Sequence, residues 1–205
     1  MEIDKVPETI SETYVFPSPI YRIENPAGVN REDMENVCRE IKELGGGRTY
    51  TNRHGWQSND LIDLDYNRSL IDTLFDTCID VSKTISKNTG VSSSYNHSIG
   101  ASWININDKE GDYNISHCHP GSYLSFVYYV KCREDSGDIV FCDPRIGHAA
   151  NMLNYDRLTE VNAIEMNITP NQGELIAFPG WLYHYVTQNM SSETRISVAV
   201  NTVLR

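Results

Sequence analysis

Residues 114–130 read Asn-Ile-Ser-His-Cys-His-Pro-Gly-Ser-Tyr-Leu-Ser-Phe-Val-Tyr-Tyr-Val, an extended stretch with two histidines followed by a run of strand-forming residues. From Leu124 to Val130 nearly every residue is aliphatic, aromatic or β-branched, which predicts a buried strand. His117 and His119 lie two residues apart, so on an extended chain their imidazoles point to the same side. Neutral imidazole binds Fe, Zn, Cu and Ni, and the pair is therefore half of a candidate metal site. Two histidines in a polar surface loop would give the same pattern.

A third histidine and an arginine follow near the C-terminus. Residues 173–184 predict a short buried strand, a Pro-Gly turn and, just past it, His184. In the final strand four residues share one face: Arg195, Ser197, Ala199 and Asn201. A guanidinium and a hydroxyl on that face indicate a strand that lines a polar pocket. The alternate residues, which begin with Ile196, are apolar and suit packing on helices.

These residues resemble the motifs of the 2-oxoglutarate- and iron(II)-dependent oxygenases, which fold as a double-stranded β-helix (jelly-roll) barrel. That family has a His-x-carboxylate pair early in the barrel, a distal histidine late, and an Arg-x-Ser pair about a strand and a turn further on. The chain has His117-x-His119, His184 and Arg195-x-Ser197 in that order. It looks like a small subgroup with a His-x-His-Pro motif, on the strength of these segments: Trp103-x-Asn105, His117-x-His119-Pro120, Phe141-x-Asp143-Pro144-Arg145 and Phe178-Pro179-x-Trp181. The resemblance is strong over about the last half of the chain and loose before it.

The resemblance implies an enzyme that uses Fe(II), 2-oxoglutarate and O2, and that hydroxylates a substrate while 2-oxoglutarate is decarboxylated to succinate. Three residues would hold the iron: His117, His119 and His184. Four would bind the cosubstrate: Arg195, Ser197, Tyr129 and Asn105. Arg145 would contact the substrate, which is left open as a protein, a peptide or a small molecule. A structural amide for Asn105 and a surface or salt-bridge role for Arg145 are the alternatives.

The second metal ligand departs from the family pattern, because His119 stands where the family has Asp or Glu. With a neutral imidazole in place of a carboxylate, the iron complex would have one negative charge less. The affinity of the site for metal and the redox potential of the iron would both change. We favour three histidine ligands because the two-residue spacing is the feature that matches. A carboxylate from Asp112, Asp143 or Glu174 is the alternative.

Two other functions fit parts of the pattern. The cupins share the jelly roll and paired histidines, but their motif adds a glutamate where this chain has Tyr123 and Leu124. A cupin also has no use for Arg195-x-Ser197. The third possibility is a metal-free jelly roll that binds a ligand or partner and carries the histidines incidentally.

The chain pattern predicts an α+β fold in one domain, residues 1–205. An N-terminal arm and two supporting helices occupy 1–98, and the jelly-roll core occupies 99–205. The first helix begins after Asn30 and stops at Gly45-Gly46-Gly47, and the second runs over 68–87. The first barrel strand, 101–107, directs Trp103, Asn105 and Asn107 inward. Residues 146–168 form a long connection of a kind that often serves as a lid or substrate loop.

Composition predicts which kinds of partner the protein binds and where in the cell it is found. A net charge of −11 argues against nucleic acid and against an anionic membrane, since both bind clustered Lys and Arg. The five cysteines are odd in number and include no Cys-x-x-Cys pair, which indicates reduced thiols in a cytoplasmic protein. No signal-peptide core or membrane-length apolar run occurs. Nothing in the pattern indicates an oligomeric state.

Overall fold

The computed structural model describes residue 11 and residues 13–66, 68–145 and 153–205. In this part of the chain the helices are α1 (Arg31–Glu43) and α2 (Ser69–Thr89). The strands are β1 (Tyr21–Glu24), β2 (Asn52–Arg53), β3 (Trp56–Gln57), β4 (His97–Asn107), β5 (Tyr113–His117), β6 (Leu124–Lys131), β7 (Ile139–Cys142), β8 (Glu165–Ile168), β9 (Glu174–Pro179), β10 (His184–Val186) and β11 (Arg195–Leu204).

The strands form two antiparallel sheets. The larger has the order β1-β9-β6-β11-β4-β3 and the smaller has the order β2-β5-β10-β7-β8. From β4 onward, consecutive strands cross repeatedly between the two sheets, as in a jelly roll. Closure of the two sheets into a barrel stays a prediction, as does the division of a single domain at residues 98 and 99.

The two helices cover the outward face of the larger sheet. The Asn30 side-chain oxygen accepts the backbone N–H groups of Glu32 and Asp33 and so caps the start of α1. Buried residues of both helices form one core with outward-facing residues of β4 and β11: Met34, Cys38, Ile41, Ile71, Leu74, Cys78, Ile104, Ile106, Ile196 and Val198. The other face of the larger sheet is thereby left for the polar residues. Neither described helix is long and apolar enough to span a membrane.

The boundaries differ from the predictions in a few places. The second helix starts at Ser69 and ends at Thr89, where Gly90 takes a left-handed conformation (φ 76°). Between the two helices lie the two-residue strands β2 and β3, for which the sequence pattern gave no prediction. Within the N-terminal arm, the strand β1 begins at Tyr21. The connection predicted at 146–168 ends in β8, and its residues 146–152 lie outside the described residues.

An ion pair fixes the edge strand β1 to β9. Arg22 Nη2 donates to Glu174 Oε2 at 2.8 Å, and Arg22 Nε donates to the other oxygen. The Glu174 side chain is buried, and the backbone N–H of Asn171 also donates to it at 2.9 Å. Burial alone raises the pKa of this carboxyl. The hydrogen bonds from Arg22 and Asn171 outweigh that effect and hold the pKa below its usual range.

We expect Glu174→Gln to make the stability of the protein less dependent on pH. A lowered folded-state pKa means that the stabilisation is present above the unfolded value, about 4.3, and is lost as the pH falls through the folded value. At pH 7 the substitution should lower the free energy of unfolding by about 1–2 kcal/mol. The effect is smaller than for a fully buried ion pair, because Arg22 is partly exposed and solvent screens its attraction to Glu174. Urea unfolding at pH 7 and pH 3 measures the difference.

The control for this experiment is Asp76→Asn on the exposed face of α2. It should change the free energy of unfolding by less than about 0.5 kcal/mol at either pH. An equal destabilisation by Glu174→Gln at pH 7 and pH 3 would show that the ionised carboxylate does not support the fold.

Candidate active site

Strand pairing brings the three predicted histidine ligands together. His117 ends β5, His184 begins β10, and the two are directly opposite each other in the antiparallel ladder. His119 lies in the turn after β5, past the end of the strand on which the sequence placed it. Its backbone N–H donates to the Gly180 carbonyl at 2.7 Å, which ties the His-x-His turn to the Pro-Gly turn that precedes His184.

The three imidazoles form a compact cluster. Their candidate ligand nitrogens lie within 4.8 Å of one another, and the ring centroids are 4.3 to 5.1 Å apart. In the described parts of the chain this is the one group of three or more His, Cys, Asp or Glu residues arranged to hold a metal ion. None of the three alternative carboxylates belongs to it. Asp143 pairs with Arg145, Glu174 pairs with Arg22, and Asp112 accepts the backbone N–H of Lys109.

Backbone carbonyls orient two of the rings. The Ile115 carbonyl lies 2.8 Å from His117 Nδ1, and the Leu182 carbonyl lies 2.9 Å from His184 Nδ1. Since a carbonyl can only accept, each Nδ1 carries the proton and each Nε2 keeps a lone pair for a metal.

All three imidazoles are held in the neutral form that binds metal. Burial and the neighbouring His117 lower the pKa of His184 to about 3. The same two causes lower the pKa of His119 to about 4. Burial also lowers the pKa of His117. Three unprotonated nitrogen donors at neutral pH fit a divalent first-row metal such as Fe(II).

The four residues predicted to bind the cosubstrate lie beside the histidines. Ser197 of β11 is directly opposite Asn105 of β4 and Tyr129 of β6, and Arg195 is two residues away on the same face. One small cavity, about 40 Å³ in volume, is lined by these four side chains and by the three imidazoles. The structure therefore brings seven of the eight predicted site residues together.

Several polar atoms around this cavity are buried without a hydrogen-bond partner among the described residues: Arg195 Nε, Tyr129 Oη and Asn105 Oδ1. The guanidinium of Arg195 lies over the Tyr129 ring, 5.5 Å from its centroid, and no described carboxylate pairs with it. Burial raises the pKa of Tyr129 to about 12, although the neighbouring guanidinium works against this shift. A buried cation without a counter-ion is unstable, so this arrangement suits an anionic ligand such as a carboxylate.

Arg145 is the eighth predicted residue, and it lies elsewhere. Its Nε and Nη2 donate to the two Asp143 oxygens at 2.8 Å. It lines a different and larger cavity of about 710 Å³, bounded by residues 13–18 and by the strands β7 and β8. The predicted substrate contact of Arg145 stays a prediction.

The sequence pattern missed Asn114, which also lines the small cavity. Its Nδ2 donates to Thr51 Oγ1 of the preceding loop at 3.3 Å. Asn114 and His117 are three residues apart, so strict alternation would place them on opposite faces. The ladder between β10 and β5 shifts register here, since His184 faces His117 whereas Val186 faces Asn114. A bulge of this kind changes the face and leaves no signal in an alternating pattern.

The second half of the chain matches a known protein family. Residues 101–201 match a family model described as "Putative 2OG-Fe(II) oxygenase". The match spans the stretch from β4 to β11 and includes every residue that lines the small cavity except Thr51. No curated protein matches the sequence significantly.

Solved structures with the same fold include several oxygenases. A prolyl-4-hydroxylase from Pseudomonas putida is 12% identical, with a TM-score of 0.67, over 92% of this chain and 94% of its own. A prolyl hydroxylase from Trichoplax adhaerens, in complex with a peptide fragment of hypoxia inducible factor, is 14% identical, with a TM-score of 0.62, over 90% of this chain and 83% of its own. HygX from Streptomyces hygroscopicus, with nickel and 2-oxoglutarate bound, is 10% identical, with a TM-score of 0.61, over 91% of this chain and 83% of its own.

We expect alanine in place of His117, His119 or His184 to abolish tight iron binding, because each replacement removes one of three nitrogen donors. Anaerobic equilibrium dialysis against Fe(II), followed by metal analysis, should give one iron per wild-type chain and much less for each variant. The matched control is His54→Ala, at an exposed histidine outside the cluster, and it should keep full occupancy. Full occupancy in His119→Ala would remove that residue from the metal site and point to a carboxylate instead.

Proposed function

We propose that this chain, which belongs to the 2-oxoglutarate- and Fe(II)-dependent oxygenase superfamily, hydroxylates its substrate at an iron ion bound by His117, His119 and His184. The chain is a non-haem iron oxygenase whose cofactors are Fe(II), 2-oxoglutarate and O2. One observation supports the proposed site above the others. A cluster of three neutral imidazoles shares a cavity with a buried guanidinium that has no carboxylate partner among the described residues.

The chain would bind iron through nitrogen alone. His117 and His184 are oriented by the carbonyls of Ile115 and Leu182, so their Nε2 atoms are the donors that face the cluster. Because His119 replaces a carboxylate, the protein neutralises none of the charge of the metal. We infer that the site depends more on the negative charge of 2-oxoglutarate than a site with a carboxylate ligand does.

The cosubstrate would lie between the imidazoles and Arg195. The distal carboxylate of 2-oxoglutarate would accept from the Arg195 guanidinium, with the hydroxyls of Ser197 and Tyr129 as further donors. The Asn105 amide is placed on the same face and could donate to an oxygen nearer the metal. These contacts would give hydrogen-bond partners to the unpartnered side chains of Arg195, Tyr129 and Asn105 and to the buried hydroxyl of Ser197.

Apolar side chains would protect the reaction from water. The Phe178 ring lies 4.6 Å from His184 and the Trp103 ring lies 5.4 Å from His119, while Val127 and Ile139 line the same cavity. When bound, Fe(II) supplies the oxidising chemistry, in which O2, 2-oxoglutarate and a substrate C–H bond become succinate, CO2 and a C–OH group. Exclusion of water keeps that oxidising power directed at the substrate. A peptide or a small molecule is the substrate class that we propose.

We expect Arg195→Ala to weaken 2-oxoglutarate binding at least about tenfold while iron still binds. Loss of a charge-assisted hydrogen bond costs about 1.5–3 kcal/mol, and tenfold in affinity corresponds to about 1.4 kcal/mol. Anaerobic titration of the iron-loaded protein with 2-oxoglutarate, followed through the visible charge-transfer band, measures the affinity.

Arg133→Ala, at an exposed arginine after β6, is the matched control and should bind 2-oxoglutarate as the wild type does. If wild-type protein shows neither the band nor succinate formation in air, the cosubstrate site is wrong and a cupin-type metal enzyme becomes the better reading.

Tyr129→Phe tests the same site by the removal of one buried hydroxyl. Because that hydroxyl has no partner among the described residues, its loss should leave the free energy of unfolding unchanged or raise it slightly. Affinity for 2-oxoglutarate should fall about three- to tenfold, as for one hydrogen bond. Thermal unfolding and the same anaerobic titration measure the two effects. Lower stability with unchanged affinity would show that Tyr129 serves the fold and not the ligand.

A further inference from the structure

Two polar residues, Asn201 and Ser125, lie on the face of the larger sheet that carries Arg195, at the far end of the row from it. Asn201 follows Ala199 on that face of β11, and it is directly opposite Ser125 of β6. Ser125 shares its strand face with Val127 and Tyr129, both of which line the small cavity. The pair therefore faces the space between the sheets, one alternation past the residues beside the metal cluster.

Neither side chain has a protein partner that would explain its burial. Ser125 is 1% exposed, and its Oγ has no hydrogen-bond partner among the described residues. No described residue hydrogen-bonds the side chain of Asn201, which is 6% exposed. Buried hydroxyls are almost always paired in folded proteins, so the unpaired Ser125 hydroxyl, directly opposite an amide that no described residue hydrogen-bonds, indicates a ligand that is shared between the two.

The pair is too far from Arg195 to belong to the cosubstrate site. Asn201 follows Arg195 by six positions, which is roughly 20 Å along an extended strand and longer than a five-carbon diacid. The pair instead adjoins residues whose rings contact the histidines. Ala199 is paired with Trp103, whose ring lies 5.4 Å from that of His119. Ser125 is paired with Phe178, whose ring lies 4.6 Å from that of His184.

The surroundings of the pair favour a neutral ligand. The residues that adjoin it on the same faces of β4, β6 and β9 are all uncharged: Ala101, Trp103, Val127 and Phe178. A charged group buried there would have no counter-ion and would be strongly disfavoured. An amide fits, because the Asn201 side chain offers one acceptor and an N–H donor, and the Ser125 hydroxyl can donate or accept.

We propose that Ser125 and Asn201 recognise a neutral amide group of the substrate and hold it beside the metal-binding histidines. This inference rests on the proposed function, in which the histidines bind the iron. It makes the pair specificity-determining residues, and it narrows the substrate to compounds with a peptide group or a carboxamide. The side of the cluster away from Arg195 then receives the substrate, so cosubstrate and substrate approach the metal from opposite directions along β11.

The test is a nuclear magnetic resonance titration of the ¹⁵N-labelled full chain with small probes. N-methylacetamide represents a peptide group, propionamide represents a carboxamide, and acetate and methylammonium are charged counterparts. The Asn201 side-chain amide signal is assigned by its absence from Asn201→Asp. Either amide should shift this signal saturably, and the one that binds more tightly identifies the source of the amide. The charged probes should leave the signal in place.

The variants separate recognition from a structural role. Ser125→Ala should weaken amide binding about three- to tenfold without lowering the thermal stability. The matched control is Ser86→Ala, which removes another buried and unpartnered hydroxyl, on α2, and should leave amide binding unchanged. Unchanged amide binding in Ser125→Ala, or acetate binding as tightly as the amides, would overturn the proposal.

Metal loading is varied independently, so that failure of the proposed metal site can be distinguished from failure of amide recognition by Ser125 and Asn201. The titration is run on metal-free protein and on protein with Zn(II), a diamagnetic substitute. If Zn(II) leaves the imidazole signals unchanged, the metal site fails, whereas the amide titration of the metal-free protein still decides the role of Ser125 and Asn201.

Discussion

The pairing of β10 with β5 is the constraint on which the site depends. It places His184 directly opposite His117, and the backbone hydrogen bond from His119 to Gly180 closes the third imidazole over the pair. Both are contacts of the backbone, so the positions of the three imidazoles are set by the fold. The rings are buried by the same packing that keeps them neutral, and the metal-binding form is therefore present before any metal arrives.

The larger sheet contributes buried polar groups that have no hydrogen-bond partner among the described residues and are therefore ready to bind a ligand. Its outward face is an ordinary apolar core with the two helices, whereas its other face carries Arg195, Tyr129, Asn105 and Ser125 with unpartnered buried atoms. Such groups lower the stability of the fold, since each loses its hydrogen bonds to water. Their concentration along β4, β6 and β11 is what indicates bound ligands, and the apolar core on the other face of the same strands compensates for the cost.

Much of this arrangement could be predicted from the sequence, because alternation in β4, β6 and β11 is regular through the site. The positions of Arg195, Ser197, Tyr129 and Asn105 follow from that period. Irregular features could not be predicted in the same way. A register shift brings Asn114 to the cavity, His119 lies beyond its strand, and β2 and β3 are too short to show a pattern. Asn201 appeared in the predicted row, but only the strand register shows that it is directly opposite Ser125.

We propose that the three histidines and Arg195, which line one cavity, hold Fe(II) and 2-oxoglutarate together. A crystal structure of the anaerobic complex with Fe(II) and 2-oxoglutarate, with anomalous scattering recorded at the iron edge, tests it most directly. We expect one iron bound to His117, His119 and His184, and 2-oxoglutarate with its distal carboxylate on the Arg195 guanidinium. Iron bound away from this cluster, or coordinated by a carboxylate side chain in place of His119, would contradict the account.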